Sequence, residues 1–151
     1  MKIDHTKGFS AKIYQTGKVL DFSFTTEMVP VISEHIRNTL EGMISPRSAQ
    51  FLPITNYRKS RLYILNVLDV LTCVDETASI FEFRTDVYTD QVVPGEYEKF
   101  DKLILNMDRI PAIGIFRIKG WETPLFITES IKKIFDTLGI KELNYYPTVV
   151  R

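Results

Sequence analysis

The sequence predicts an α+β fold: a mixed, mostly antiparallel sheet carrying two amphipathic helices. Three observations lead there. Short runs alternate apolar and polar side chains, as in KVLDFSF (18–24), SIFEFR (79–84) and IGIFRIK (113–119), the two-residue period of half-buried strands. Two segments switch to helical spacing behind a hydroxyl residue placed to cap them. The 151 residues, 44% apolar and 25% charged, fit one domain spanning 1–151, able to bury roughly 70% of its unfolded surface.

Taken in order, SAKIYQ (10–15) and KVLDFSF (18–24) flank Gly17 and predict a hairpin. The first helix is expected over 33–44 (SEHIRNTLEGMI), with Ser33 as its cap and Ile36, Leu40 and Met43 on one face. A strand follows at 49–54 (AQFLPI). The run YILNVLDVLTCV (63–74) suits a central strand, with a helix as the competing reading because Ile64, Leu65, Leu68 and Leu71 also keep helical spacing. Strands are expected again at 79–84, 102–106 (KLILN) and 113–119. Between them DVYTDQVVPGEYEKFD, centred on Pro94-Gly95, predicts a long exposed loop or a strand with an irregular excursion. The second helix, 128–138, has Thr128 as cap, Ile131, Ile134, Phe135 and Leu138 on one face, and Gly139 at its end. A last strand is expected over 142–147 (ELNYYP).

The two helices are written in nearly the same phrase, VISEHIRNTL at 31–40 and FITESIKKIF at 126–135. Ser33 aligns with Thr128, Glu34 with Glu129, Ile36 with Ile131 and Leu40 with Phe135. Cap and following proline stand 20 residues apart in the first (Ser33 to Pro53) and 19 in the second (Thr128 to Pro147). A helix–strand pseudo-repeat and convergence under capping and packing rules both account for this. On either account the two glutamates belong to the helix start, where the helix dipole favours a carboxylate.

Chemistry-bearing motifs are sparse. The potential metal ligands His5, His35 and Cys73 are far apart in sequence, so no metal is expected. Cys73, in the apolar run LTCVD, is expected to be a buried thiol, and a single cysteine cannot form an intramolecular disulfide. No phosphate-binding glycine loop or nucleophile elbow occurs, so no nucleotide cofactor is expected. Paired carboxylates, including Asp69/Asp75 and Asp75/Glu76, with Arg117 beside them in a cleft, are acid–base candidates, but Asp75 before ETAS better suits a turn cap. Arg117 and Lys119 share one side of a strand, and Trp121 is expected to anchor the core. Without a signal peptide, a bilayer-length apolar run or a lipidation motif, the expected setting is the cytoplasm.

Charge is more informative. Lysine plus arginine equal aspartate plus glutamate at 19 each, which argues against a dedicated nucleic-acid binder. Yet residues 75–101 hold eight acidic side chains against Arg84 and Lys99, a local net of −6. Basic residues gather elsewhere, at Lys2, Lys7, Lys12 and Lys18 and at Arg58, Lys59 and Arg61. The acidic stretch interleaves aromatics, and Asp86, Tyr88, Asp90, Glu96, Tyr97, Glu98, Phe100 and Asp101 are the candidate contacts for a protein partner. A solvated loop without a partner is the alternative.

The ordered segments QFLPI (50–54), YILNVLDVLTCVDETASIFE (63–82), LILNMDRIP (103–111), IFRIKG (115–120) and FITESIKKIFDTLGIKELNYYP (126–147) resemble a family of immunity proteins from bacterial polymorphic-toxin systems, the myxobacterial type formerly catalogued as a domain of unknown function. The resemblance covers about 25–148, and VISEHIRNTLE matches the family's first helix. It implies a non-enzymatic cytoplasmic inhibitor without catalytic residues or cofactor, whose partner is a cognate toxin encoded by an adjacent gene. The rival functions are an enzyme acting on a small molecule through Asp75, Glu76 and Arg117, and a scaffold or adaptor subunit.

Overall fold

Strands outnumber helices, as the alternating runs predict. The computed structural model describes residues 9, 10, 12, 17–55 and 61–151. The expected hairpin at 10–24 falls partly outside them, as do His5, Lys2, Lys7, Arg58 and Lys59. In order, the elements are β1 (Phe22–Phe24), β2 (Pro30–Ser33), α1 (Glu34–Glu41), β3 (Ala49–Pro53), β4 (Leu62–Val67), β5 (Val70–Leu71) and β6 (Ile80–Thr85). There follow β7 (Val92–Lys102), β8 (Ile104–Leu105), a short 3-10 turn (Met107–Arg109), β9 (Ile115–Ile118), β10 (Trp121–Ile127), α2 (Glu129–Thr137) and β11 (Val149–Val150). The described strands form a four-stranded sheet in the order β1-β2-β4-β3, a three-stranded sheet β10-β9-β5, and the pairs β11-β8 and β6-β7. Among the described strand pairs, β5 with β9 and β11 with β8 run parallel and the rest antiparallel, so the fold is α+β and mostly antiparallel.

β1 pairs antiparallel with β2, and the expected partner segment 10–15 lies largely outside the described residues. The turn between them has Met28 at φ 58, and Thr25 Oγ1 accepts from the N–H groups of Glu27 and Val29. β2 runs straight into α1. Ser33 ends the strand and caps the helix, its Oγ accepting from Ile36 N–H and donating to Asp21 at 2.6 Å. The helix stops at Glu41, short of the expected end, because the chain turns at Gly42. Met43 is therefore 41% exposed, and Ile44 takes the core position expected of it.

The run 63–74 is strand rather than helix, but in two pieces. β4 buries Leu65 and Val67 on one face. At Leu68 and Asp69 both N–H groups turn to the Ser48 carbonyl, and the chain passes to the second sheet as β5. A continuous strand would have held all these residues in one sheet; the crossing instead joins two cores. The larger core contains Ile36 and Leu40 of α1 with Ile131 and Phe135 of α2, and the smaller one contains Cys73, Leu105, Phe116 and Ile118. Cys73 is fully buried and burial pushes its thiol pKa up, as its apolar setting predicts. Trp121 is only half-buried, at the margin of the smaller core.

The helix correspondence holds through the buried pairs Ile36/Ile131 and Leu40/Phe135 and then ends. The first copy continues into β3; the second does not, since residues 142–147 form no strand and β11 begins only at Val149. The caps differ as well. Thr128 Oγ1 accepts from Gly114 N–H at 3.1 Å instead of capping α2.

β9 and β10 are joined through Gly120 at φ +81, and their register shifts around Pro124, which lacks the N–H a regular ladder needs. Arg117, half-buried, donates to the Glu122 carbonyl and to the Thr123 carbonyl at 2.7 Å, satisfying groups in that irregular stretch. Gly120 also lies against the β7 backbone, where a Cβ would stand 1.8 Å from the Gly95 carbonyl oxygen. Gly120→Ala is accordingly expected to cost about 2–4 kcal/mol in urea melts, from backbone strain plus overlap. Gly139→Ala, also at positive φ but in open space, is expected to cost about 1–2 kcal/mol; equal losses at both sites would show that the Gly95 contact contributes nothing.

Candidate functional site

The acidic segment is a β-hairpin, so the expectation of a loop gives way to its alternative, a strand with an irregular excursion. Phe81 and Phe83 stand two residues apart and share a strand face, as the period of two requires. Tyr97 and Phe100 stand three apart and would fall on opposite faces of a regular strand. They meet on one face, with ring centroids 4.8 Å apart, because the register with β6 shifts at Glu98: Phe83 pairs with Tyr97, Glu82 with Lys99 and Phe81 with Phe100. A second shift follows before Lys102. Such bulges re-aim side chains and sharpen strand twist.

The result is an aromatic seam. Phe81, Phe83, Tyr97 and Phe100 pack together, and Phe100 packs on Trp121, which in turn lies against Phe126. Tyr97 donates its phenol proton to Glu76 at 2.5 Å; burial, then that carboxylate, hold its pKa above the ordinary phenol range. Tyr97 N–H donates to the Gly120 carbonyl. Tyr97 and Phe100 thus fasten the hairpin down, and of the eight candidate contacts these two are half-buried on its inner face.

The other six candidates divide in two. Asp86 builds the tip. Its carboxylate accepts from the N–H groups of Tyr88 and Thr89 and from the Thr89 hydroxyl, which hold its pKa below the ordinary value. The Asp86 carbonyl accepts from Asp90 N–H, with Asp90 at φ 53. This turn presents Tyr88 at 93% exposure and Val87 at 81%. Along the strands, Glu96 pairs with Arg84, and Lys99 lies between Glu82 (2.9 Å) and Asp101 (3.8 Å). Asp90 and Glu98 have no ion pair among the described residues. The local charge is thus partly matched within the hairpin, and Asp75 is matched from outside the segment by Arg151 at 2.7 Å.

Val87 is the residue that composition alone misses. The signal for it is the D-x-x-T spacing of Asp86 and Thr89, an Asx-type turn that pushes the two intervening side chains outward.

The small-molecule constellation does not assemble. Asp75 is engaged by Thr77 and Arg151, Glu76 by Tyr97, and Arg117 by the carbonyls beyond Gly120. A cleft of about 940 Å³ beside α2 is lined by none of the three, and a shallower depression of about 320 Å³ is lined by Arg117 with Glu27 and Glu122. Among the described residues no three His, Cys, Asp or Glu side chains gather as a metal site, and no helix is long and apolar enough to cross a membrane. No protein-family model matches the chain, and no curated protein matches it.

Asp75 gives a pH prediction. Hydrogen bonds from Thr77 and then Arg151 lower its pKa from 3.8 to about 2. A depressed carboxylate stabilises the fold above its unfolded pKa, and the contribution is lost as pH falls through the folded value. Melting temperature should therefore fall between about pH 4 and about pH 2, and fall less steeply in Asp75→Asn; parallel curves for the two proteins would remove Asp75 as a cause.

Proposed function

We propose that this chain is a non-enzymatic immunity protein that binds and neutralises a cognate secreted bacterial toxin in the cytoplasm, with the β6–β7 hairpin as its principal contact. The observation that carries the reading is the hairpin tip, where Val87 and Tyr88 stand almost fully exposed on a turn already ordered by Asp86. An exposed aromatic on a pre-ordered turn suits an interface anchor, because little side-chain and loop entropy remains to be lost on binding. Asp90 and Glu98 add negative charge nearby, which steers encounter with a basic partner.

The partner surface this reading requires is an apolar pocket with a basic rim. An interface of ordinary size buries about 800 Å² on each side, more than a hairpin tip supplies, so flanking parts of β6 and β7 belong to the contact. Ile80 and Val92, both exposed on the hairpin, fit that role. The resemblance of residues 25–148 to immunity proteins supports the same reading from the sequence side.

The test begins with a toxin encoded beside this gene, co-expressed with the wild type for rescue of growth and co-purification. Tyr88→Ala is expected to weaken toxin binding about 30-fold, the loss of one anchor of about 2 kcal/mol, and to leave the melting curve in place. Reversing Asp90 and Glu98 to lysine should slow association about tenfold at low salt and flatten its salt dependence. Full rescue with unchanged association and dissociation rates in both variants would overturn the placement, and lack of rescue by the wild type would overturn the function.

A further inference from the structure

β6 is an edge strand without the usual protection. It pairs with β7 alone, and no backbone hydrogen bond joins Ile80–Thr85 to any other described residue. An open edge is a template for another strand, and proteins blunt it with proline, bulges or very short strands. The other described edges have such devices. β3 has Pro53 and the Phe9 bridge, β10 has Pro124 and a register shift, and β1, β5 and β11 are two or three residues long. Within the hairpin the irregularity is all on β7. Its 11 residues face the six of β6, and every register shift places its extra residues on the β7 side, where Pro94 and Gly95 also lie. β6 is left regular, with no proline, glycine or bulge of its own.

The side chains decide what fits there. Glu82 and Arg84 stand exposed on one face, and Phe81 and Phe83, half-buried, stand on the other. A second copy, related by a twofold axis perpendicular to the sheet, adds an antiparallel β6 with like faces together. Registers centred on residue 82, 83 or 84 keep most of the strand paired. Centring on Glu82 sets that carboxylate opposite itself, and centring on Arg84 does the same with the guanidinium. Like charges directly opposite are destabilising. Centring on Phe83 instead sets each Glu82 opposite Arg84 of the other copy. The pairs already made to β7, Lys99 with Glu82 and Arg84 with Glu96, then continue the alternation of sign across all four strands. Arg84 holds Glu96 through Nε and Nη2, which leaves Nη1 unpaired among the described residues and available to a second carboxylate. On the opposite face Phe83 meets Phe83 of the second copy, each stacked on its own Tyr97.

We infer that this protein self-associates as an antiparallel dimer through β6, forming one sheet in the order β7-β6-β6-β7 centred on Phe83. The two hairpin tips then point to opposite ends of the shared sheet. Ile80 comes to lie beside Asp86 of the second copy, so Val92 on β7 is the flank left to a toxin. The inference rests on the β6 edge and its charges, and it stands apart from the toxin reading.

The test is sedimentation velocity on the full-length protein alone, so its failure is separate from any failure of toxin binding. A reversible monomer–dimer equilibrium is expected, with a dissociation constant on the order of 10 μM, because an edge this short lies at the small end of protein interfaces. Glu82→Arg and Arg84→Glu each place like charges opposite and should weaken self-association at least about tenfold. The pairs they lose to β7 are exposed, so melting curves should move little. Mixing the two variants restores opposite charges at both positions, and a heterodimer of about wild-type affinity is expected, which a merely structural role for either side chain would not give. A wild type that stays monomeric up to about 300 μM overturns the inference. So does a dimer that both reversals leave intact, or folded variants that do not recombine.

Discussion

The close approach of Gly120 to Gly95 sets how the hairpin meets the rest of the chain. The Tyr97 N–H donates to the Gly120 carbonyl, and the approach needs a glycine at 120, whose Cβ would stand 1.8 Å from the Gly95 carbonyl oxygen. With the backbones together, Phe100 can reach Trp121, and Tyr97 can sit over the smaller core and hold Glu76. A larger residue at Gly120 would separate β7 from the β9–β10 turn and take the aromatic seam with it. The bulge at Glu98 is the second requirement, since without it Phe100 would face solvent. Position and orientation of the hairpin thus rest on one glycine contact and one register shift.

The same economy joins the two cores. α1 and α2 bury their apolar faces in the larger core, while β5, β8 and β9 build the smaller one around Cys73 and Ile118. The chain links them at Leu68 and Asp69, where it leaves β4 for β5, and through β9, whose Ile115 serves the larger core and whose Phe116 and Ile118 serve the smaller. Arg117, between them, supports the irregular stretch of β10. A cation read in isolation suggests chemistry, but here its donors are matched to carbonyls that the Pro124 irregularity exposes.

Much of this was legible in the sequence where a local rule governs. Ser33 caps α1 as its position predicts; the face of Ile131 and Phe135 is buried, and the strands at 49–53, 80–85 and 115–118 follow the alternation. What escaped depends on partners distant in the chain. Nothing near Met43 announces that Ile44 will take its place, and nothing in ELNYYP prevents a strand except the lack of a neighbour to pair with. Tyr97 and Phe100 looked like surface aromatics because their spacing of three is not a strand period, and only a bulge reconciles it. Thr128 looked like a cap because the pattern is right, but Gly114 claims its hydroxyl.

The hairpin tip and the cleft beside α2 differ in kind, and the difference follows from what each demands of the fold. The hairpin tip is convex, polar at its base and ordered by Asp86, so its two exposed side chains are displayed without help from a packed core behind them. A convex anchor can only fill a pocket that belongs to something else, which suits recognition of a protein. The cleft is concave and apolar, and its floor is the packed face of the smaller core. Its volume of about 940 Å³ is enough to enclose a small molecule. Trp121 and Phe126 serve both regions, packing toward Phe100 on one side and walling the cleft on the other. A ligand that fixes those two rings would therefore stiffen the base of the hairpin. Because the rings are shared rather than the polar contacts, any such coupling would travel through packing, and it would show in the mobility of β7 before it showed in the tip itself.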